Sequence, residues 1–427
     1  MKIAIVGAGY VGLVSGVGFA QRGHQVSLIE IDLNKVNMIN RGKSPIHEEG
    51  LEVMLKTLVP NMLRATSRMD EGIHDADVIF FCVQSSSCDN EAADLTYIEK
   101  ATIDVGMALK TKSNRTVVCV KSTVAPGTTE GVIIPILERY SGKKTGVDIA
   151  VMAVPEFLRE GTAMADFMKP YRIIIGGSSE WGEAILSELY QDFDAPVIKV
   201  DLTTAEMIKC ASNAFLATKV SFMNEIGNIC KRLGIDAYKV AEGMGVDPRI
   251  SPHYLNAGIG FGGSCLPKDT RCLCGLARKL GYQPNLLESV LKINEDQPLR
   301  LVQLADERVG GLAGKEVAVL GLAFKPGTDD VRKAPSIKVI GALKEKGAII
   351  RVYDPVAEER ARLVLGDVVS YCPTASEAVA DIQIVFILTE WEELKDGDLY
   401  RDRIVFDGRG VLRASAKDGL DYEGICW

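Results

Sequence analysis

The chain has no run of about 18 apolar residues, so no membrane-spanning helix is expected. It has no surplus of basic residues either: 49 Lys and Arg stand against 57 Asp and Glu, a formal net charge of −8. That balance argues against nucleic acid or an anionic membrane as the main partner. None of the ten cysteines forms a CxxC pair. Cys272 and Cys274 make a CxC, but no second pair or nearby histidine completes a set of ligands, so no metal site is expected. Scattered cysteines in a chain of this kind are expected to be reduced and buried. There are only four histidines, His24, His47, His74 and His253, and each reads as solvated or structural. A dehydrogenase that relies on a histidine base therefore has few candidates. The opening MKIAIVGAGYVG lacks a basic region followed by a cleavage site and reads as a strand rather than a signal peptide, so a cytoplasmic location is expected. No low-complexity segment or short repeat is present.

What is present is a chain of 427 residues, 47% hydrophobic and 25% charged, enough for two or three domains with cores of their own. KIAIV (2–6), VSLIEID (26–32), ADVIFFCV (76–83), TVVCVKST (116–123) and DIAVMAVPE (148–156) read as strands, with helices between them near 97–110 and 128–140. That alternation predicts a parallel sheet covered on both faces. From 202 the texture changes. LTTAEMIKCASNAFLATKVSFMNEIGNICKRLG predicts one long helix to 233, with Thr203 and Glu206 as a capping box. Further helices are expected at 236–243, 267–280 and 285–309. At 315 the strand pattern returns in KEVAVLG, AIIRVYDP, QIVFILT and RIVFDG, with a helix near 335–346. This second copy carries one glycine where the first has three, and an insertion, FKPGTDDVRKAPS, at its first turn. The expectation is an α/β chain with two Rossmann-like doubly wound domains joined by a long central helix and a helical middle region. The divisions fall at 1–200, 201–310 and 311–427.

Gly7-x-Gly9-x-x-Gly12 follows a strand and opens a helix, and Glu30 ends the next strand. In that setting the glycines suit a tight turn and close approach to a pyrophosphate, which the helix N-terminus favours. A carboxylate at 30 would bond ribose hydroxyls and repel a 2′-phosphate, which selects NAD over NADP. A glycine-rich turn without a nucleotide is the competing reading. VPEFLREGTA places Glu156 and Glu160 just after a strand, either as site carboxylates or as an acidic helix start. Lys209 and Asn213 lie one turn apart on one face of the long helix, in a cleft or in solvent. GFGGSCLPKD places Cys265 behind Gly260, Gly262 and Gly263 and just before Pro267. Pro267 suits the first turn of a helix. A helix start and Lys268 both favour a thiolate, so Cys265 is either a nucleophile or a small core residue.

Taken together, GAGYVG, STVAPGT, PEFLREGTA, EMIKCASNAFLATKVSFMNE, GFGGSCLPKD and GLAFKPGTDDVR span essentially the whole chain. The sequence resembles the nucleotide-sugar 6-dehydrogenases, the UDP-glucose/GDP-mannose dehydrogenase family, and most closely the UDP-glucose branch. The resemblance implies four-electron oxidation of UDP-glucose at C6 to UDP-glucuronate, with two NAD and one water, by a homodimer or higher homo-oligomer built on the central helix. It makes Cys265 the nucleophile that forms a thiohemiacetal and then a thioester. Lys209 and Asn213 become oxyanion stabilisers, Glu156 a general acid/base, and Thr123 and Asp269 partners of water. Implied NAD contacts are Gly7, Gly9, Tyr10, Val11, Gly12, Glu30, Lys35, Val83, Ser85, Ser122, Thr123, Glu160, Cys265, Lys268 and Arg332. Implied substrate contacts are Glu156, Phe157, Leu158, Arg159, Lys209, Asn213, Tyr254, Gly258, Phe261, Gly262 and Lys325, with Arg249 reaching in from the neighbouring subunit.

The chain departs from the family at Val83-Gln84-Ser85-Ser86, where V-G-T-P is usual, and at Val154, Tyr171 and Lys333. The ending GICW is similar to GDP-mannose dehydrogenases, so GDP-mannose or a UDP-N-acetylhexosamine is the alternative substrate. A non-catalytic nucleotide-sugar binder is the alternative of another class.

Overall fold

A computed structural model describes residues 1–84, 94–413 and 419–427. The chain forms two α/β units, Met1–Ser212 and Asn213–Trp427, whose boundary falls inside one helix, Leu202–Leu233.

The first unit is built on β1 (Lys2–Val6), β2 (Gln25–Ile29), β3 (Leu63–Thr66), β4 (Val78–Phe81), β5 (Thr116–Val120), β6 (Ile149–Ala153), β7 (Ile173–Gly176) and β8 (Val197–Val200). Their order is β3-β2-β1-β4-β5-β6-β7-β8. VIFF, TVVCV and IAVMA are buried at every position, as strands covered on both faces must be. The order reverses between β1 and β4, which opens a crevice at the carboxyl ends of those strands.

The expectation of a wholly parallel sheet fails at one place, where β7 meets β6 antiparallel through Ala153 and Gly176. The only helix between them, Ala163–Met168, has six residues. At that length it spans about 9 Å and cannot return the chain along a strand of about 16 Å. The helix expected near 128–140 opens with a π-helical turn, Thr129–Ile133, before regular helix at Ile134–Ser141.

The capping box expected at Thr203 and Glu206 is also absent. Asp201 caps the central helix instead, accepting from the Thr204 amide at 2.7 Å and hydroxyl at 2.5 Å. Glu206 points elsewhere and accepts from Gly127 N at 2.6 Å, Thr129 N at 2.9 Å and Thr129 Oγ1 at 2.5 Å.

In the second unit β9 (Glu316–Leu320), β10 (Ile349–Tyr353), β11 (Ser370–Tyr371), β12 (Ile384–Ile387), β13 (Ile404–Asp407) and β14 (Asp421–Gly424) form a parallel sheet in the order β11-β10-β9-β12-β13-β14. Helices Ala237–Gly245, Leu266–Lys279 and Asn285–Arg308 precede it. Leu301, Val302 and Ala305 of the last of these enter the same core as Val317, Val319 and Phe386 of the sheet. Cys82, Cys119, Cys230 and Cys426 are buried and outside any disulfide, whereas Cys272 is disulfide-bonded, against the expectation of reduced thiols. Among the described residues no helix is long and apolar enough to cross a membrane.

Candidate active site

The turn after β1 is shaped by its glycines. Gly7 has φ +98°, and a Cβ there would stand 2.7 Å from the Cys82 carbonyl oxygen. At Gly12 a Cβ would lie 1.8 Å from the Gly7 carbonyl oxygen, so the helix Tyr10–Gln21 packs onto the turn only without one. Gly9 differs: a Cβ there meets nothing within 4 Å. It is the N-cap of the helix and makes no side-chain cap bond, and the space beside it is open. Glu30, at the end of β2, is 8% exposed and braces the turn by accepting from Ala8 N at 3.0 Å and Asp32 N at 3.1 Å. Lys35 follows on the helix Leu33–Asn40. An open, uncapped amide cradle beside a buried carboxylate fits a dinucleotide pyrophosphate and ribose.

The same unit carries the predicted acid/base group. Glu156 lies three residues past β6, 6% exposed, with Lys209 Nζ 2.9 Å from Oε1 and Leu158 N 2.5 Å from Oε2. Burial pushes the Glu156 carboxyl up, but the Lys209 ammonium, the Leu158 amide and the more distant Lys121 outweigh it and hold the group below the usual carboxylate value. Lys209 is 3% exposed, so it does not sit on a solvated face. Phe157 lies beneath the Arg172 guanidinium at 3.9 Å, and Arg159 pairs with Asp166 at 2.6 Å. Ser122 Oγ donates to the Val83 carbonyl at 2.7 Å, joining the ends of β5 and β4 beside Thr123. Ser85 and Ser86, the predicted cofactor contact and its neighbour, lie outside the described residues.

Two groups in this unit escaped the sequence reading. Glu48, 7% exposed, takes the Tyr10 hydroxyl and the Gly161 amide, the latter at 2.7 Å, and so ties the segment carrying Glu160 to the nucleotide turn. Lys121 at the end of β5 is 5% exposed, and burial lowers its pKa. Neither lies in a motif, and only a polar residue amid an apolar run (VCVKST) hinted at the second.

The second unit carries the thiol. Cys265 is exposed and is the N-cap of the helix Leu266–Lys279, with Pro267 in the first turn. Core filler is therefore excluded. One turn on, Asp269 is 2% exposed and accepts from Asn213 Nδ2 at 2.6 Å, with Lys268 Nζ 3.5 Å from its other oxygen. Asn213 is thus buried against a carboxylate rather than solvated. Close approach explains the glycines before Cys265. A Cβ at Gly262 would lie 2.6 Å from the Lys333 carbonyl oxygen, and one at Gly263 would lie 2.9 Å from the Phe324 ring.

Tyr254 is held at φ +63°, and Lys325 lies over the Phe324 ring with Nζ 5.7 Å from its centroid. Arg332 pairs with Asp330 at 2.7 Å and accepts Gly263 N at its carbonyl. Arg249 is exposed and pairs with Asp247 at 2.6 Å. Arg409, which the sequence reading missed, donates to the carbonyls of Gly260 at 2.9 Å and Leu388 at 3.2 Å.

The turn after β9 is not a second dinucleotide cradle. A Cβ at Gly321 would meet Thr389 N at 2.6 Å. Asp354, the counterpart of Glu30, is filled by Leu322 N, Ala323 N, Val356 N, Ala357 N and Trp391 Nε1. Among the described residues no group of three or more His, Cys, Asp or Glu could hold a metal ion.

Sequence models of the NAD-binding, central and UDP-binding domains of one family match residues 1–194, 203–296 and 318–414. The chain belongs to the UDP-glucose/GDP-mannose dehydrogenase family; it is an NAD-dependent oxidoreductase, and NAD is its cofactor. It is 42% identical to the UDP-glucose 6-dehydrogenase AglM of Haloferax volcanii, with 100% of each chain covered. It is also 42% identical to the GDP-mannose 6-dehydrogenase of Pseudomonas syringae pv. syringae, again over 100% of both. The structure of a UDP-glucose dehydrogenase from Pyrobaculum islandicum superposes with a TM-score of 0.96 at 42% identity, covering 100% of this chain and 98% of that one.

Proposed function

We propose that the protein oxidises UDP-glucose at C6 to UDP-glucuronate in two hydride transfers, without releasing the aldehyde. The observation that carries this reading is the exposed Cys265 thiol at a helix start, one turn before the buried Asp269–Asn213 pair. Pure binding of a nucleotide-sugar requires no thiol, and neither does oxidation that stops at the aldehyde. NAD, when bound, accepts the hydride in each oxidation.

The Glu156–Lys209 pair takes the alcohol proton as the first hydride leaves C6, and Lys209 stabilises the oxygen as charge develops on it. Cys265 Sγ then adds to the aldehyde carbon, and the proton goes to the oxygen, giving a thiohemiacetal. Loss of the second hydride from C6, with the hydroxyl proton passing to the Glu156–Lys209 pair once that pair has released the first to solvent, leaves a thioester on Cys265. Asp269 and Thr123 orient the water that attacks it, the C–S bond breaks, and one water proton returns to the thiol while the other passes to solvent as the carboxylate departs. The covalent adduct keeps the carbon in place between the two oxidations.

Glu30 supports NAD over NADP. Phe157, Leu158, Arg159, Tyr254, Gly258, Phe261, Gly262 and Lys325 are assigned to the nucleotide-sugar, and Lys35, Glu160, Lys268 and Arg332 to NAD, on the family resemblance. A homodimer is supported by Phe215, Phe222 and Ile229 of the central helix, which recur every seven residues and are 64%, 45% and 48% exposed.

GDP-mannose is the second reading, favoured by the equal identity to a GDP-mannose 6-dehydrogenase. The test is NADH absorbance with UDP-glucose, UDP-N-acetylglucosamine, UDP-N-acetylmannosamine and GDP-mannose. Two NADH per UDP-glucose, abolished by Cys265→Ala, is the expected result. Turnover of GDP-mannose alone would move the assignment to the second reading, and turnover of none would end it.

A further inference from the structure

The segment from Gly258 to Cys265 has no strand or helix of its own, yet side-chain amides engage its backbone on both sides. Asn294, on the helix Asn285–Arg308, treats Phe261 as a neighbouring β-strand would. Its Oδ1 accepts from Phe261 N at 2.7 Å and its Nδ2 donates to Phe261 O at 2.9 Å. One turn further along that helix, Gln297, 1% exposed, donates to Gly258 O at 2.9 Å and accepts from Asn228 Nδ2 at 2.9 Å. From the central helix Asn224, fully buried, accepts from Gly258 N at 2.8 Å.

The glycines are matched to this grip. Gly260 has φ +97°, and a Cβ on it would stand 2.6 Å from Asn294 Oδ1, so the amide reaches Phe261 only because Gly260 has none. A Cβ on Gly258 would stand 2.7 Å from the Gly408 carbonyl oxygen. Pro298 lies inside the same helix and removes one amide from its internal ladder next to this docking point.

We infer that Asn294 and Gln297 are positioning residues for the thiol. They fix the register of the Gly258–Gly263 backbone and thereby the point in space from which Cys265 leaves the following helix start. A backbone held only by water would leave the sulfur a range of positions, and covalent addition is sensitive to displacements near 1 Å. The inference rests on the proposed role of Cys265 as nucleophile.

The test compares Asn294→Ala and Gln297→Met with the native full-length protein. Asn294 is half-buried on a helix, and alanine favours that helix, so the variant folds. Gln297→Met keeps the volume at the buried position. Each substitution lowers kcat with UDP-glucose by about 100-fold. Far-UV circular dichroism stays native, because the helices that carry the two amides remain in place, and alkylation of Cys265 by iodoacetamide changes rate in the same variants.

Native kcat in both variants overturns the inference. So does a loss of helical far-UV signal that parallels the fall in kcat, which would mark general loosening. The Cys265→Ala control separates the two claims. If that variant turns over normally, the nucleophile reading has failed. If it is inactive while Asn294→Ala and Gln297→Met are fully active, only the positioning role has failed.

Discussion

Residue chemistry decides what the sequence could disclose about the site. Glu30 was legible because its place in a strand–glycine–helix–strand unit follows from chain order, and the structure puts it under the Gly7–Gly12 turn. The contact between Glu156 and Lys209 was not, because 53 positions separate them and nothing local predicts a pairing. The lysine alone looked like a solvated residue, yet both partners are almost fully buried.

That burial makes Lys209→Met informative. Removing one partner strands the carboxylate in a dry site, at a cost of about 3–5 kcal/mol near neutral pH. The pH dependence has a definite sign. In the native protein the Glu156 carboxyl is held below its unfolded value, so its contribution is present above that value and is lost as pH falls through the lower, folded one. Without Lys209, burial dominates and the folded value rises above the unfolded one. The variant's deficit is then present at neutral pH and fades as the pH drops towards the carboxylate range. The gap between the two melting temperatures should narrow from pH 7 towards about pH 4.5 and close only below it. A gap that stays constant would show that Glu156 is not ionised in the folded protein.

At the scale of elements, the central helix and its bounds were read correctly from composition, but its cap was not. A Thr and a Glu three residues apart fit a capping box on spacing alone, and spacing cannot tell whether the Glu turns back to its own helix or outward. Glu206 turns outward and fastens the Gly127–Thr129 turn, which follows the strand end carrying Ser122 and Thr123. The two readings predict opposite hierarchies of damage. With Glu206 as the anchor, Glu206→Ala loses charge-assisted bonds to buried amides and costs about 3 kcal/mol in urea unfolding. Thr203, whose hydroxyl donates to the exposed Glu130 at 3.2 Å, tolerates Thr203→Ala within about 0.5 kcal/mol. Comparable losses from the two substitutions would restore the capping box. The short edge strands β3, β8, β11 and β14 went unread for a related reason, as did β7 inside the first sheet. Two to four residues carry too little periodicity to register.

At the scale of the whole molecule, the alternation of strands and helices indicated both sheets, whereas the closed turn after β9 shows only in the surroundings of Gly321 and Asp354. The assembly proposed for the chain carries a prediction of its own through Arg249. Arg249 is exposed and, among the described residues, bonded only to its neighbour Asp247, in keeping with a role beyond its own subunit. If it completes the site of a partner, Cys265→Ala and Arg249→Ala damage different copies of the site. In a mixed dimer one site receives both lesions and the other receives neither. Refolding equal amounts of the two inactive variants together gives about half mixed dimers by random pairing, each with one intact site, so about a quarter of native activity returns. If Arg249 serves its own chain, every site in the mixture carries a lesion and no activity returns. Phe222→Glu in both variants supplies the control. A charge in the exposed apolar row of the central helix should shift sedimentation to the monomer and abolish the recovery, whereas recovery from monomers would place the shared arginine elsewhere.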